Sequence, residues 1–146
     1  LIAVLQRVSE ARVEVAGSVV GSIGVGLLVL FCAEPEDTEA LAQKMLSKIL
    51  KLRIFGDSEG KMNLSLQEVG GGLLLVSQFT LAADTRSGNR PGFTGAASPV
   101  LGEALFDRFV ALARAQHPVV ETGRFATEMK VHLVNDGPVT IPLRMN

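Results

Sequence analysis

The sequence predicts one α+β domain over residues 1–146, built largely from antiparallel strands with two main helices. Its 146 residues are 47% hydrophobic, and a chain of that length can close one core and bury most of its apolar surface. Apolar runs of strand length recur along it, whereas only two segments place apolar residues at helical spacing. The elements also follow the order strands, helix, strands, helix, strands, with no internal repeat, low-complexity tract or linker-like stretch.

Ile2 to Val8 has alternating character, and Arg12-Val13-Glu14-Val15 continues it. Ala16-Gly17-Ser18 has the composition of a hairpin turn. Val19-Val20 follows, and Gly21 to Gly26 carries two further turn signals before the apolar strand Leu27 to Phe31, so the opening reads as a β-meander. Pro35 to Asp37 breaks the pattern. Asp37 or Thr38 then caps a helix whose positions Leu41, Met45, Ile49 and Leu52 share one face. Arg53 to Phe55 is a short strand and Gly56 to Lys61 a turn, and Leu64 to Leu66 can pair back. Leu73 to Val76, after the triplet Gly70-Gly71-Gly72, lacks alternation and reads as a strand buried on both faces. Residues 82–98 are unpatterned, and a loop of that length in a compact domain is usually functional or disordered. Ser98-Pro99 marks a helix start, since proline at the first helical position has no N–H to lose. Leu101, Leu105, Phe109 and Leu112 form that helix's buried stripe, which ends before Pro118. Val119 to Glu121 is a strand, and Met129, Val131 and Leu133 alternate with Lys130 and His132 in another. Asn135 to Thr140 then turns into a last strand through Ile141. Two helices cannot cover both faces of so much sheet, so sheet or a second subunit has to cover the remainder.

Composition narrows the function. A formal charge of −1 argues against a wide nonspecific grip on nucleic acid, which depends on phosphate neutralisation. Lys44, Lys48, Lys51 and Arg53 around the first helix, and Arg86 and Arg90 in the long loop, each read as solvated charge when taken alone. There is no tryptophan or tyrosine for a base-stacking platform. No run of eighteen apolar residues suggests a membrane span, and no secretory signal opens the chain. The lone Cys32 forms no internal disulfide and fits a reducing compartment, so a cytoplasmic protein is expected. Leu1 in place of methionine fits processing, an unusual start codon or an incomplete chain equally well.

Familiar catalytic constellations are missing. His117 stands beside Pro118 at a helix end and His132 on the polar side of a strand, each without a neighbour at metal-ligand spacing. Both are expected to be structural, and Cys32 an inert core residue. There is no GxSxG, P-loop or dinucleotide fingerprint, and the glycines from Gly21 to Gly26 open no helix. An enzyme of this sequence would work without a conventional triad, a metal or a cofactor. Ser77, Gln78 and Thr80 are the polar exception at the end of the most apolar strand. Such groups need hydrogen-bond partners or cost roughly 1–3 kcal/mol. Either they bond the backbone where the strand stops, or the strand ends in a binding site.

Ser77-Gln78-Phe79-Thr80-Leu81 and Asn135-Asp136-Gly137-Pro138-Val139-Thr140, together with Gln6-Arg7-Val8-Ser9 and the loop Asn89 to Ala97, resemble the D-aminoacyl-tRNA deacylases of bacteria and eukaryotes. Either of the first two motifs alone is weak; the pair at this separation is specific, and the resemblance covers essentially the whole chain. Gly92 stands where serine is expected, and Ser87 where a lysine is expected, which takes charge away from tRNA contact.

The resemblance implies that family's fold, a homodimer with each active site at the subunit interface, and aminoacyl-tRNA as the partner, engaged at its 3′ end. Ser77, Gln78, Phe79 and Thr80 would be the catalytic stretch. Gly137-Pro138 would be joined by a cis peptide bond and inserted into the partner's pocket, with Arg7 bracing the turn. The substrate would be a D-aminoacyl ester of the terminal ribose, with glycine, as on tRNA-Ala, also accepted. Backbone N–H groups near Phe79 and Thr80 would steady the oxyanion. No base accompanies Thr80 in sequence, so water or the tRNA's own 2′-hydroxyl is the expected participating oxygen, positioned by Thr80 and Gln78. Two other readings remain open at this point: an editing hydrolase of the same fold acting on L-aminoacyl-tRNA, and a noncatalytic RNA-binding module.

Overall fold

Strand β1 (Ile2–Val15) is the element on which the sheet is assembled. The computed structural model describes residues 1–146. One edge of β1 pairs antiparallel with β8 (Lys130–Arg144) over almost its full length. The other edge takes β3 (Gly26–Cys32) along residues 2–8 and β2 (Ser18–Ile23) along residues 11–15. One strand can serve two neighbours on one edge because it carries an extra residue midway. Val8 faces Asn135 and Glu10 faces Val134, so two steps on β1 match one step on β8. Such a bulge exchanges the faces to which successive side chains point. Ala3 and Leu5 join the larger core, and Val8 faces the other way by plain alternation. Past the bulge Ala11 and Val13, which alternation alone would return to the face of Leu5, join Val8 in a second core.

Beyond β3 the sheet continues in parallel through β6 (Gly72–Ser77) and β7 (Val120–Thr122). Parallel neighbours require long crossovers, and the two helical segments supply them. Helix α1 (Glu39–Lys51) starts at Thr38, whose hydroxyl accepts from Leu41 N. Helix α3 (Pro99–Gln116) starts at Ser98 in the same way. Leu52 lies at the C-cap of α1, so that helix's buried stripe is Ala42, Met45, Leu46, Ile49 and Leu50. On α3 the buried residues are Leu105, Phe106, Phe109, Val110 and Ala113, with Leu101 and Leu112 half-buried. A separate hairpin of β4 (Arg53–Gly56) and β5 (Met62–Ser65) follows α1. Leu66 belongs to one turn of helix, α2 (Leu66–Val69), because Ser65 and Glu68 form a reciprocal capping box. That signature, serine followed three residues later by glutamate, is legible in the sequence.

Strand β6 is buried on both faces as its composition requires. Leu73 and Leu75 point into the larger core beneath the helices, and Leu74 and Val76 into the second core under β2 and the start of β8. Part of the excess sheet is therefore covered by the sheet curling over itself. Gly21 is not a turn but the tightest point of that curl. A Cβ there would lie 2.4 Å from the Thr122 carbonyl oxygen. His117 caps the end of α3, buried, with Nε2 2.7 Å from the Gly71 carbonyl oxygen, and so ties the helix to the start of β6. No helix is long and apolar enough to cross a membrane.

Candidate active site

Where β6 ends, its backbone stops being strand. Gln78 N donates to Phe31 O at 2.8 Å, the last bond to β3, and Phe79–Ala82 wind into a 3-10 turn. Thr80 therefore sits in a tight turn and not in a strand. The turn's bonds run from Leu81 N to Gln78 O and from Ala83 N to Thr80 O. The N–H groups of Phe79 and Thr80 come before its first donor, as at any helix start. They are the pair of backbone donors available to a developing oxyanion.

The polar side chains meet here. Gln78 Nε2 donates to Thr80 Oγ1 at 2.5 Å. One lone pair of the hydroxyl is thus occupied by an amide donor, and its own proton is left to be donated outward. A hydroxyl nucleophile needs the reverse arrangement, an acceptor that removes its proton.

Ser77, Gln78 and Phe79 form one wall of a cavity of about 530 Å³, with Thr80 exposed just outside it. Phe79 and Phe93 meet edge to face across 5.0 Å at the mouth, Phe79 being 56% exposed. Phe125 and the first turn of α3 close the far side. No Asp, Glu, His, Lys or Arg lines the space. Its one titratable group is Cys32, whose thiol donates to the carbonyls of Ala33 and Phe79 at 3.6 Å each. Burial, reinforced by the nearby Glu34 carboxylate, pushes that thiol up and keeps it protonated. The cavity can bind a flat, uncharged group and present backbone donors to it, but it holds no general base.

Phe93 is delivered by the long loop. Asp84 and Gly92 exchange both backbone hydrogen bonds, 2.7 and 2.9 Å, and so pinch the loop at its base. The Arg86 side chain and N–H both bond the Asp84 carboxylate and hold its pKa below the usual range. Residues 82–98 are thus an ordered excursion that places an aromatic ring at the cavity mouth.

Gly137 and Pro138 lie elsewhere. They stand in an excursion of β8: Asn135 faces Val8 and Thr140 faces Gln6, so five steps on β8 match two on β1. The Gly137-Pro138 peptide is cis, and Gly137 has φ +135°. Arg7 grips the excursion through Nε to the Asp136 carbonyl at 3.0 Å, and its Nη1 donates to the Ile54 carbonyl of β4 at 2.8 Å. Asn135 closes the base, donating to Thr140 Oγ1 at 2.8 Å and accepting from Val139 N at 3.1 Å. Within one chain neither Gly137 nor Pro138 lines the cavity of Ser77 and Gln78. Of the residues expected to act together, Ser77, Gln78, Phe79 and Thr80 come together, as do Arg7, Gly137 and Pro138. The two groups do not meet within one chain.

Sequence reasoning overlooked Phe125, placed Cys32 in the core without placing it beside the cavity, and quoted Asn135 in its motif without giving it a role. Nothing periodic marks Phe125, which lies in the irregular segment between β7 and β8. Cys32 looks like any core residue, because its strand places it beneath the turn only once β3 and β6 are paired. Asn135 did carry a signal, since asparagine recurs where a side chain replaces backbone hydrogen bonds in a turn.

The chain is similar to known proteins over nearly its whole length. A family model described as D-Tyr-tRNA(Tyr) deacylase matches residues 4–144. A protein named D-aminoacyl-tRNA deacylase from Paracidovorax citrulli is 70% identical over 145 residues, spanning 99% of this chain and 94% of that one. Its namesake from Acidovorax ebreus is 67% identical over 150 residues, spanning 99% and 98%. Among solved structures, the c-Myc DNA unwinding element binding protein superposes with a TM-score of 0.95 at 38% identity, covering 100% of this chain and 99% of that one. A probable eukaryotic D-amino acid tRNA deacylase superposes with a TM-score of 0.81 at 20% identity over 97% of each chain, a likeness of fold.

Proposed function

The chain belongs to the D-Tyr-tRNA(Tyr) deacylase family, and from that premise we propose that it hydrolyses the ester joining a D-amino acid to the terminal ribose of tRNA. The observation that carries the reading is the cavity wall itself: backbone donors and a preset Gln78–Thr80 pair, with no base among the lining residues. Water adds to the ester carbonyl carbon, the bond to the ribose oxygen breaks, and a proton from the water leaves with that oxygen. Phe79 N–H and Thr80 N–H stabilise the oxyanion. Gln78 and Thr80 hold the attacking water against the ester, with the neighbouring 2′-hydroxyl of the tRNA as the alternative participating oxygen, since the protein supplies no base there. The aromatic mouth takes the terminal base.

Selection by hand falls to Gly137 and Pro138. A pocket that accepts many side chains cannot choose by fitting one of them. It tests where the side chain points relative to the α-amino group, and fixed backbone carbonyls do this by leaving no room for the L side chain. Glycine has no hand and passes, so glycine carried on tRNA-Ala is a second substrate. Because the excursion and the cavity do not meet in one protomer, the working unit is a homodimer with each turn entering the partner's cavity. A noncatalytic nucleic-acid-binding role has less support, given the charge of −1 and the absence of tyrosine and tryptophan.

Matched D-, L- and glycyl-tRNA supply the test, with sedimentation of the same samples. The D-ester and the glycyl ester are hydrolysed, the L-ester persists, and the active species sediments as a dimer. Preferential hydrolysis of the L-ester would make the chain an editing enzyme of another specificity, and a fully active monomer would end the cross-subunit account.

A further inference from the structure

The cavity that takes the ester carries no charge, yet a tRNA 3′ end brings a phosphodiester with every nucleotide. Four basic residues stand in the segments that build the cavity: Arg86 and Arg90 in the long loop, Arg124 beside Phe125, and Lys130 between Met129 and Val131. Two of them are otherwise disposed. Arg86 is held in a two-pronged bond by Asp84, Nε to Oδ1 at 2.9 Å and Nη2 to Oδ2 at 2.8 Å. Lys130 opens β8 next to Val131, so its side chain leaves from the opposite face of the strand from that lining residue. Arg90 and Arg124 remain. Both are exposed, and neither forms a salt bridge.

Their placement is fixed by the elements that build the mouth. Arg90 is two residues from Gly92, where the Asp84–Gly92 pair pinches the loop, and three from Phe93 at the rim. Arg124 opens the turn that places Phe125 and Thr127 in the cavity wall, a turn closed by Thr127 Oγ1 donating to the Arg124 carbonyl at 2.9 Å. Glu128 is the carboxylate of that turn, and it is not paired with Arg124. An exposed guanidinium with no acid to neutralise it, a few residues along the chain from the cavity lining, is suited to a bidentate grip on phosphate.

We propose that Arg90 and Arg124 form a phosphate clamp for the RNA strand leading to the terminal adenosine. This rests on the deacylase reading of the cavity. It assigns binding of the polynucleotide to the rim and chemistry to the uncharged interior. The clamp contacts no base and so reads no sequence, which suits an enzyme that must accept many tRNAs.

The experiment compares D-aminoacyl-tRNA with the D-aminoacyl ester of adenosine alone, which ends at the cavity and offers no phosphate. The readout is the ratio of their kcat/KM values. Each of Arg90→Ala and Arg124→Ala is expected to lower the ratio about tenfold, and the double variant roughly a hundredfold. In the double variant, the salt dependence of kcat/KM on tRNA becomes shallower by about 1.4 in log–log slope, the value for two contacts on a single strand. Arg114→Ala removes the same charge from the last turn of α3, roughly 20 Å along the helix from the cavity, and leaves the ratio where it was. An unchanged ratio or salt slope in the double variant overturns the clamp, as does an equal loss on both substrates. A wild-type protein that cleaves neither ester would overturn the deacylase reading itself, an outcome distinct from failure of the clamp.

Discussion

The corner at Ser77–Thr80 and the excursion at Gly137–Pro138 are both short polar interruptions of a strand, but they are held in opposite ways. The first grows from β6, whose Leu73, Leu74, Leu75 and Val76 are all fully buried between two cores. Its position is set by packing, and shifting it would disturb both cores. The second projects from β8, with Asp136, Gly137 and Pro138 all exposed. Within the chain its side-chain braces are Arg7 and Asn135. The difference separates two tasks. On the proposed reading, a corner that presents oxyanion donors gains from a rigid core, whereas a turn proposed to enter a second copy of the chain has to stand clear of its own.

That contrast is broken most severely at Gly137. A Cβ added there would lie 2.9 Å from both Arg7 Nη2 and Val139 Cγ2, at a φ of +135° that L-residues rarely adopt. Gly137→Ala therefore disturbs the excursion and its brace together. Strain of about 1–3 kcal/mol is expected to reduce D-specific deacylation roughly ten- to a hundredfold and to narrow the gap to L-aminoacyl-tRNA. The midpoint of thermal unfolding should fall by roughly 3–10 °C, the shift that strain of this size produces in a folded domain, and no further, because no core residue is touched. If deacylation of the two hands is unaltered, selection does not reside in this turn.

Arg7→Ala comes next. It removes the donors to Asp136 and Ile54 without placing anything in the way, a loss of about 1.5 kcal/mol or more for bonds from a charged group. The D-to-L rate ratio should fall about tenfold. Lysine at the same position, with one compact ammonium in place of a planar fork, reaches one carbonyl at a time and recovers part of the ratio. Full recovery with lysine would mean that charge alone, and not the two-pronged geometry, holds the turn.

The smallest effect is expected in the core-held region. Thr80→Ala leaves β6, the turn's N–H donors and the cavity in place, and it deletes only a hydroxyl whose lone pair Gln78 already occupies. The rate should drop less than about tenfold, far from the many kcal/mol that loss of a nucleophile costs, and the D-to-L ratio should hold. Mass spectrometry during turnover should find no acyl group on Thr80. Trapping such an adduct, or losing turnover altogether in a folded variant, would make Thr80 the nucleophile.

Much of this was legible in the residues because the signals were local. Thr38 and Ser98 announce helix starts through their own side chains, and the unbroken run Leu73 to Val76 announces burial on two faces. What escaped was whatever depends on a partner far along the chain. Gly21 resembles a turn residue until β2 closes over β7, when the Thr122 carbonyl leaves it no room for a side chain. Asn135 to Thr140 looks like a turn between two strands. It is a detour within one, because β1 pairs with β8 on both sides of it. Thr80 was expected in a strand, since nothing in Gln78-Phe79-Thr80-Leu81 indicates that β3 ends at Cys32 and leaves no ladder to continue.

By itself the sequence determined the α+β class, the two main helices and the start of the second, the burial of β6 and, through the paired Ser77–Leu81 and Asn135–Thr140 motifs, the family. Each of these follows from side-chain periodicity, capping chemistry or residue identity, which act over a few neighbouring positions. Only the tertiary structure decided that Gln78 donates to Thr80, that Phe79, Phe93 and Phe125 share one cavity, and that Arg7 joins the Gly137 excursion to β4. Those contacts unite residues from separate elements, such as Arg7 and Asp136, 129 positions apart. Their geometry is set by strand register and by the bulges that reset it, and one residue of slip would turn every side chain to the other face.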